Sequence, residues 1–123
     1  MTASLHAVRS IAVPVTDQDR SAALLTGLGW SVVLDRELQP GFRWVELAAP
    51  QGGAALALVQ TGDSLPTGID TGIRLLTDDA AGLRAHLANE GLDVGDLLDW
   101  PGVPLMFSFT DHDGNRFYVS ESG

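Results

Sequence analysis

The feature that most constrains this chain is an internal repeat: its second half reproduces the order of its first. At an offset of 79 − 17 = 62 residues, Asp17 falls on Asp79, Gly29 on Gly91 and Val32 on Val94. Ser10, Ile11 and Val13 fall on Gly72, Ile73 and Leu75. Few positions are identical, so what repeats is pattern and punctuation. In the first half, SIAVPV (10–15) places Ile11, Val13 and Val15 on one face, the period of a half-buried strand. Pro14 removes a ladder donor and assigns this strand to an edge or to the side of a bulge. Thr16 or Asp17 offers an N-cap, and DRSAALLTGLG reads as a helix closed by Gly27 or Gly29. Ala22, Ala23, Leu25 and Leu28 are its expected buried stripe. Three strand-like segments follow, WSVVLDREL, FRWVELAAP and AALALVQT, separated by turn residues at 40–41 and 51–53.

The second half runs through the same series. GIRLL is a strand, and DDAAGLRAHLANEG is a helix with Leu83 and Leu87 one turn apart. LDVGDLLDW, PLMFSFTD and NRFYVSE supply the remaining strands. DHDGN is the final hairpin turn, where Asp, Gly and Asn tolerate positive φ. Two copies of about 60 residues are too few for a solenoid. The expected architecture is α+β: two βαβββ modules forming a cupped mixed β-sheet with helices outside. We expect a single domain over residues 1–123, with module one at about 8–60, an exposed linker TGDSLPTGID at 61–70, and module two at about 71–121.

Composition narrows the function. Hydrophobic residues make up 45% of the 123 and charged residues 19%, enough for a packed core and against disorder. Seven Lys+Arg against sixteen Asp+Glu give 7 − 16 = −9. Such a chain repels phosphate backbones, so nucleic acid is not an expected partner; the charge either serves solubility alone or also attracts cationic ligands. The absence of cysteine removes disulfides, thiolate metal sites and Cys nucleophiles. No apolar run approaches the roughly 18 residues of a membrane span, and MTASLHAVRS lacks the pattern of a signal peptide. A soluble cytoplasmic protein is expected.

Three stretches together resemble the vicinal oxygen chelate superfamily of glyoxalase I, bleomycin-resistance proteins and extradiol dioxygenases. IAVPVTDQDRSAALLTGLGW is similar to the family's opening strand, Asp-Arg helix start and Leu-Gly-aromatic helix exit. LLTDDAAGLRAHLANEGLDV is its counterpart in the second module. FTDHDGNRFYVSE is similar to the family's penultimate strand, Asp-Pro-Asp-Gly-Asn turn and final strand. His112 replaces the usual Pro of that turn, and Leu24-Leu25 replace an aromatic pair in the first helix. The resemblance implies a ligand cleft on the concave face of the sheet and a homodimer in which each cleft is built with help from the partner.

Metal-dependent members of the superfamily place four ligands on the concave face, one from each of four strands. Carried over by position, these fall on Ser10, on the strand AALALVQ, on Gly72 and on Tyr118, and none is a usual ligand. Residues 54–59 hold no carboxylate, His or Gln. His6 shares the strand parity of Ser10, His86 lies in the second helix and His112 in a turn, so the histidines do not rebuild the set. GLGW lacks the βαβ context of a dinucleotide fingerprint, and no nucleophile elbow occurs. No metal, no cofactor and no catalytic residue are therefore assigned. Glu46, in phase with Trp44, is either a base facing the cleft or an exposed strand residue.

Alternation then names the expected cleft. Ser10, Ala12 and Pro14 face in if Ile11, Val13 and Val15 face the helix, and Phe42, Trp44 and Glu46 face in if Val45 and Leu47 do not. Arg74 and Leu76 follow from Gly72, and Tyr118 and Ser120 from the opposite setting of Phe117 and Val119. In MFSFT, either Phe107 and Phe109 or Met106 and Ser108 line the cup. Trp100 and Pro101 would form a rim. The candidate ligand contacts are Ser10, Phe42, Trp44, Glu46, Arg74, Trp100, Phe107, Phe109 and Tyr118. Such a cleft suits a flat hydrophobic or aromatic molecule held by stacking. The resemblance then implies metal-independent drug or antibiotic resistance by sequestration. The alternative is a glyoxalase-like or dioxygenase-like metalloenzyme with a non-standard site.

Overall fold

The computed structural model describes residues 3–122. It resolves into two compact units that divide between Leu65 and Pro66. The architecture is α+β. Each unit carries one mixed sheet and one helix: the first runs βαβββ, and the second follows that order with an irregular segment, 92–100, where its second strand would stand.

The first unit contains β1 (Ser10–Val15), α1 (Gln18–Gly27), β2 (Ser31–Gln39), β3 (Phe42–Ala48) and β4 (Ala55–Gln60). Its sheet has the order β1-β4-β3-β2, with β1 and β4 parallel and the other pairs antiparallel. β1 ends that order, the place where a strand proline is tolerated. Val13, Val15, Val45, Leu47, Leu56 and Leu58 are buried on the face that α1 covers. Burying each such side chain contributes about 1.5–3 kcal/mol.

The second unit contains β5 (Asp70–Thr77), α2 (Ala80–Asn89), β6 (Met106–Thr110) and β7 (Arg116–Glu121), ordered β5-β7-β6. β5 and β7 are parallel, β6 and β7 antiparallel. Phe107, Phe109, Phe117 and Val119 form its buried face, and α2 packs over β6 and β7. Phe109 and Phe117 stack there with centroids 5.4 Å apart.

The internal repeat has a physical basis in the helix ends. Asp17 caps α1 by accepting from the Arg20 amide at 3.0 Å, and Asp79 caps α2 by accepting from Gly82 at 2.9 Å. At the exits, Trp30 N–H donates to Leu25 O at 3.0 Å and Leu92 N–H to Leu87 O at 3.1 Å. Both closures need a left-handed residue, which Gly29 (φ 99°) and Gly91 (φ 85°) supply. Leu25 and Leu87 are the buried helix positions that these closures hold over the sheets.

Two expectations about elements change. The buried stripe of α1 is Gln18, Ser21 and Leu25, while Ala23 is exposed. Gln18 takes the apolar position because its amide donates to Arg43 O and Leu58 O, both at 2.9 Å, and so ties the helix start to β3 and β4. The segment LDVGDLLDW runs beside β6 without forming a regular strand. Its bridges pair Val94 with Phe109 and Leu98 with Met106, four residues on one side against three on the other. That mismatch breaks the ladder. Gly95 fits between them because a Cβ there would lie 2.8 Å from Ser108 Oγ. Among the described residues no helix is long and apolar enough to cross a membrane.

The turn before β7 is built on Asn115, which is 0% exposed. Its side-chain oxygen accepts from the amides of Gly68 (3.0 Å) and Ile69 (3.3 Å), and its Nδ2 donates to Asp111 Oδ2 at 3.0 Å. Replacing it with Ala removes the acceptor of two part-buried amides and the donor to Asp111, and leaves a gap where a fully buried side chain stood. Asn115→Ala is expected to lower stability by about 2–3 kcal/mol in denaturant unfolding. The exposed neighbour His112→Ala should stay within about 0.5 kcal/mol of the parent.

Candidate functional site

Each unit presents chemistry on the sheet face opposite its buried apolar layer. In the first unit, alternation along β3 sends Val45 and Leu47 towards α1 and Phe42, Trp44 and Glu46 to the other side. Trp44 Nε1 donates to Glu46 Oε1 at 2.8 Å, a pair two residues apart on one face. Glu46 is only 6% exposed. Its cross-strand neighbours are apolar: Leu34 on β2 and Ala57 on β4 oppose it, and Ala12 on β1 opposes Ala57. Phe42 meets Trp44 edge to face, with centroids 6.1 Å apart and planes at 67°. Arg9 approaches Glu46 Oε1 to 3.9 Å from the preceding segment. Ser10 is half-buried and pairs with Ala55, one step along the same face from Ala12.

In the second unit, Tyr118 lies between two strands. The register sets Arg74 on one side of it and Ser108 on the other. The Arg74 guanidinium carbon sits 3.8 Å from the centre of the Tyr118 ring, a cation–π contact. The Tyr118 hydroxyl donates to Asp70 Oδ2 at 2.5 Å. The other Asp70 oxygen accepts from the Gly72 amide at 3.0 Å. β5 bulges between Asp70 and Arg74, and Gly72 carries the turn at φ 68°, a conformation that favours glycine.

This arrangement separates the two acidities. The hydrogen bond from Tyr118, helped by the Gly72 amide and by Arg116 and Arg74, holds the Asp70 carboxyl below the usual carboxylate range. The same bond, with burial and the Asp70 charge, pushes the Tyr118 phenol up. The proton therefore stays on Tyr118, and the hydroxyl offers a ligand only its acceptor lone pairs.

The structure thus brings Phe42, Trp44 and Glu46 together in one unit and Arg74 and Tyr118 together in the other. It resolves the alternatives for MFSFT. Phe107 pairs with Val119 and Phe109 with Phe117 on the buried face, so these two phenylalanines are core residues and not ligand contacts. Met106, Ser108 and Thr110 share the face of Tyr118. Trp100 is exposed in a turn, where Val103 N–H donates to its carbonyl. Among the described residues no ring contact joins it to the other candidates. Asp70, which the sequence reading places in the linker, is the member it missed. The available signal was its place two residues before Gly72, the spacing of a side-chain-closed turn.

The metal positions implied by the resemblance do not fit an ion. Ser10, the alanine-rich β4, Gly72 and Tyr118 offer no imidazole or carboxylate. Tyr118 already spends its hydroxyl on Asp70. Among the described residues no group of three or more His, Cys, Asp or Glu is placed to hold a metal ion.

The chain thus carries two units, each with a helix on one sheet face and aromatic and charged side chains on the other. The family model of the Glyoxalase/Bleomycin resistance protein/Dioxygenase superfamily matches residues 7–119, and the chain belongs to that superfamily. Among solved structures it is similar to TnmS3, an antibiotic binding protein from Streptomyces sp. CB03234. The identity is 26%, with 99% of this chain and 100% of that chain covered and a TM-score of 0.82. It is similar to a superfamily member from Sphaerobacter thermophilus DSM 20745 at 28% identity, over 96% of this chain and 98% of that chain, with a TM-score of 0.84. The fosfomycin resistance protein FosX from Listeria monocytogenes, at 11% identity, shares the fold over 100% of this chain and 96% of its own, with a TM-score of 0.68. No curated protein matches the chain.

The coupling of Asp70 and Tyr118 predicts a pH signature. Because the folded Asp70 pKa is lowered, its stabilising contribution is present above the unfolded carboxylate value of about 3.9 and is lost as pH falls through the folded value. Because the Tyr118 pKa is raised, its contribution is present below the unfolded phenol value of about 10 and is lost as pH rises through the folded value. In Tyr118→Phe, the Asp70 carboxyl should titrate at higher pH than in the parent, read by carboxyl-carbon NMR. An unchanged Asp70 titration would show that the hydrogen bond is not formed in solution.

Proposed function

We propose that this protein binds a hydrophobic or aromatic natural product stoichiometrically, and protects its cell by sequestering that compound without a metal. The observation that carries the reading is the state of Tyr118. At the position where the resemblance implies the last metal ligand stands a phenol whose ring is held by Arg74 and whose hydroxyl is held by Asp70. A fixed aromatic ring suits stacking against a flat ligand, and sequestration requires affinity without turnover. End-to-end similarity to a protein described as antibiotic binding supports the same direction. On this reading the protein works in the cytoplasm as a homodimer, and its ligand contacts are Ser10, Phe42, Trp44, Glu46, Arg74, Trp100 and Tyr118.

A second reading is a glyoxalase-like or dioxygenase-like enzyme with a non-standard site. The buried carboxylate of Glu46 favours it, since a desolvated carboxylate is a usual form of general base. The two readings part in one experiment. Purified protein is titrated with a panel of aromatic natural-product antibiotics, followed by quenching of its three Trp residues. A bound compound should be recovered with unchanged mass, and Tyr118→Ala should weaken binding by about tenfold. Recovery of a modified product with turnover, or stoichiometric Zn, Ni, Mn or Fe in protein purified without chelator, would establish the enzyme instead.

A further inference from the structure

We infer that Glu46 and Trp44 form a recognition site for a cationic nitrogen, and that Arg9 holds this site until a ligand displaces it. This inference rests on the small-molecule-binding function proposed above and names the chemistry of its ligand.

A carboxylate that is 6% exposed is unusual unless it is paired. Glu46 is paired poorly. Trp44 Nε1 is a neutral donor, so its 2.8 Å bond orients the carboxylate without balancing the charge. The balancing charge comes from Arg9, whose nearest nitrogen stands 3.9 Å from Oε1, beyond the 2.7–3.2 Å of a well-formed N–H···O bond. The Arg9 side chain is 81% exposed and belongs to a segment, residues 3–9, without regular structure. A pair so exposed on its cationic side contributes little, and the exposed guanidinium marks an approach to Glu46 from solvent.

The surroundings favour a compact aromatic cation over this arginine. Indole is the best of the side-chain rings at binding a cation, and the hydrogen bond to Glu46 fixes how Trp44 is turned. Phe42 lies edge-on to Trp44 and extends the aromatic surface. Leu34 and Ala57, cross-strand from Glu46, are apolar and offer its carboxylate no charge. The net charge of −9 raises the local concentration of cations. A ligand nitrogen that meets both the carboxylate and the indole makes a charge-assisted contact in a desolvated place, which Arg9 does not achieve.

The test compares a matched pair of probes, 1-naphthylmethylammonium and the neutral 1-naphthylmethanol, by isothermal titration calorimetry. The parent should bind the ammonium about tenfold more tightly than the alcohol. Glu46→Gln keeps an oxygen acceptor for Trp44 and should bring that ratio to about one, chiefly by weakening the ammonium. Arg9→Ala removes the competitor and should tighten ammonium binding roughly threefold. Equal affinities in the parent, with the alcohol bound, would overturn the cation site and leave the sequestration reading standing. An ammonium preference that survives Glu46→Gln would also overturn it. Failure of both probes to bind any variant would overturn both readings.

Discussion

A strand sends neighbouring side chains to opposite faces, and each sheet here has one face committed to a helix. That constraint organises both units. Once Val45 and Leu47 are fixed under α1, Trp44 and Glu46 must stand on the other side. Once Phe117 and Val119 join Phe107 and Phe109 in the second core, Tyr118 must stand beside Ser108 and Arg74. A slip of one residue would exchange core for chemistry in the whole strand. The capped helices guard against such a slip. Gln18 spans to the backbone of β3 and β4, and the Asp17 and Asp79 caps fix where each helix begins over its sheet.

In the second unit the constraint reaches the site through Asn115. Its side chain gathers the amides of Gly68 and Ile69, and Arg116 N–H then donates to Ile69 O at 2.8 Å. These bonds set the start of β5 against the start of β7, with Asp70 opposite Arg116. From there the bulge at Gly72 lets the Asp70 carboxylate reach the Tyr118 hydroxyl while Arg74 returns to register beside the ring. The DHDGN turn is therefore more than a hairpin marker. Its last residue is the buried anchor from which the polar group around Tyr118 is laid out.

Much of this was legible from residue pattern. Period-two alternation identified the strands and most facing residues, and the offset that aligns Asp17 with Asp79 and Gly29 with Gly91 identified both modules. What escaped were places where a polar side chain takes an apolar role or a backbone breaks step. Gln18 occupies a core position because its amide finds two carbonyls, which hydrophobic periodicity does not register. Asp70 reads as linker because the turn residues before it mask the strand start, and only the bulge brings it to Tyr118. The segment 92–100 has strand composition yet pairs at two isolated bridges, because its spacing disagrees with that of β6. Phe107 and Phe109 were ambiguous because Met106 makes the opposite face partly apolar and aromatics also suit a ligand cleft, and pairing with β7 had to decide.

The two units also share one local arrangement that the repeat does not supply. Trp44 at the same offset would fall on 44 + 62 = 106, a methionine, so the resemblance between the Trp44 and Tyr118 sites is not inherited from the module pattern. In both, an aromatic side chain donates its one polar hydrogen to a carboxylate on its own face, Trp44 to Glu46 and Tyr118 to Asp70. The consequence is orientational. A ring with its polar edge anchored has little rotamer freedom left to lose, so contact with a ligand carries a smaller ordering penalty. The electrostatic outcomes differ. Asp70 has Arg74 and Arg116 near it, and its charge is balanced within the sheet. Among the described residues the charged partner of Glu46 is Arg9, at 3.9 Å. A ligand meeting the Tyr118 face encounters a satisfied surface suited to stacking. One meeting the Trp44 face encounters a carboxylate still short of a close positive partner, so the first unit is where ligand charge would be read.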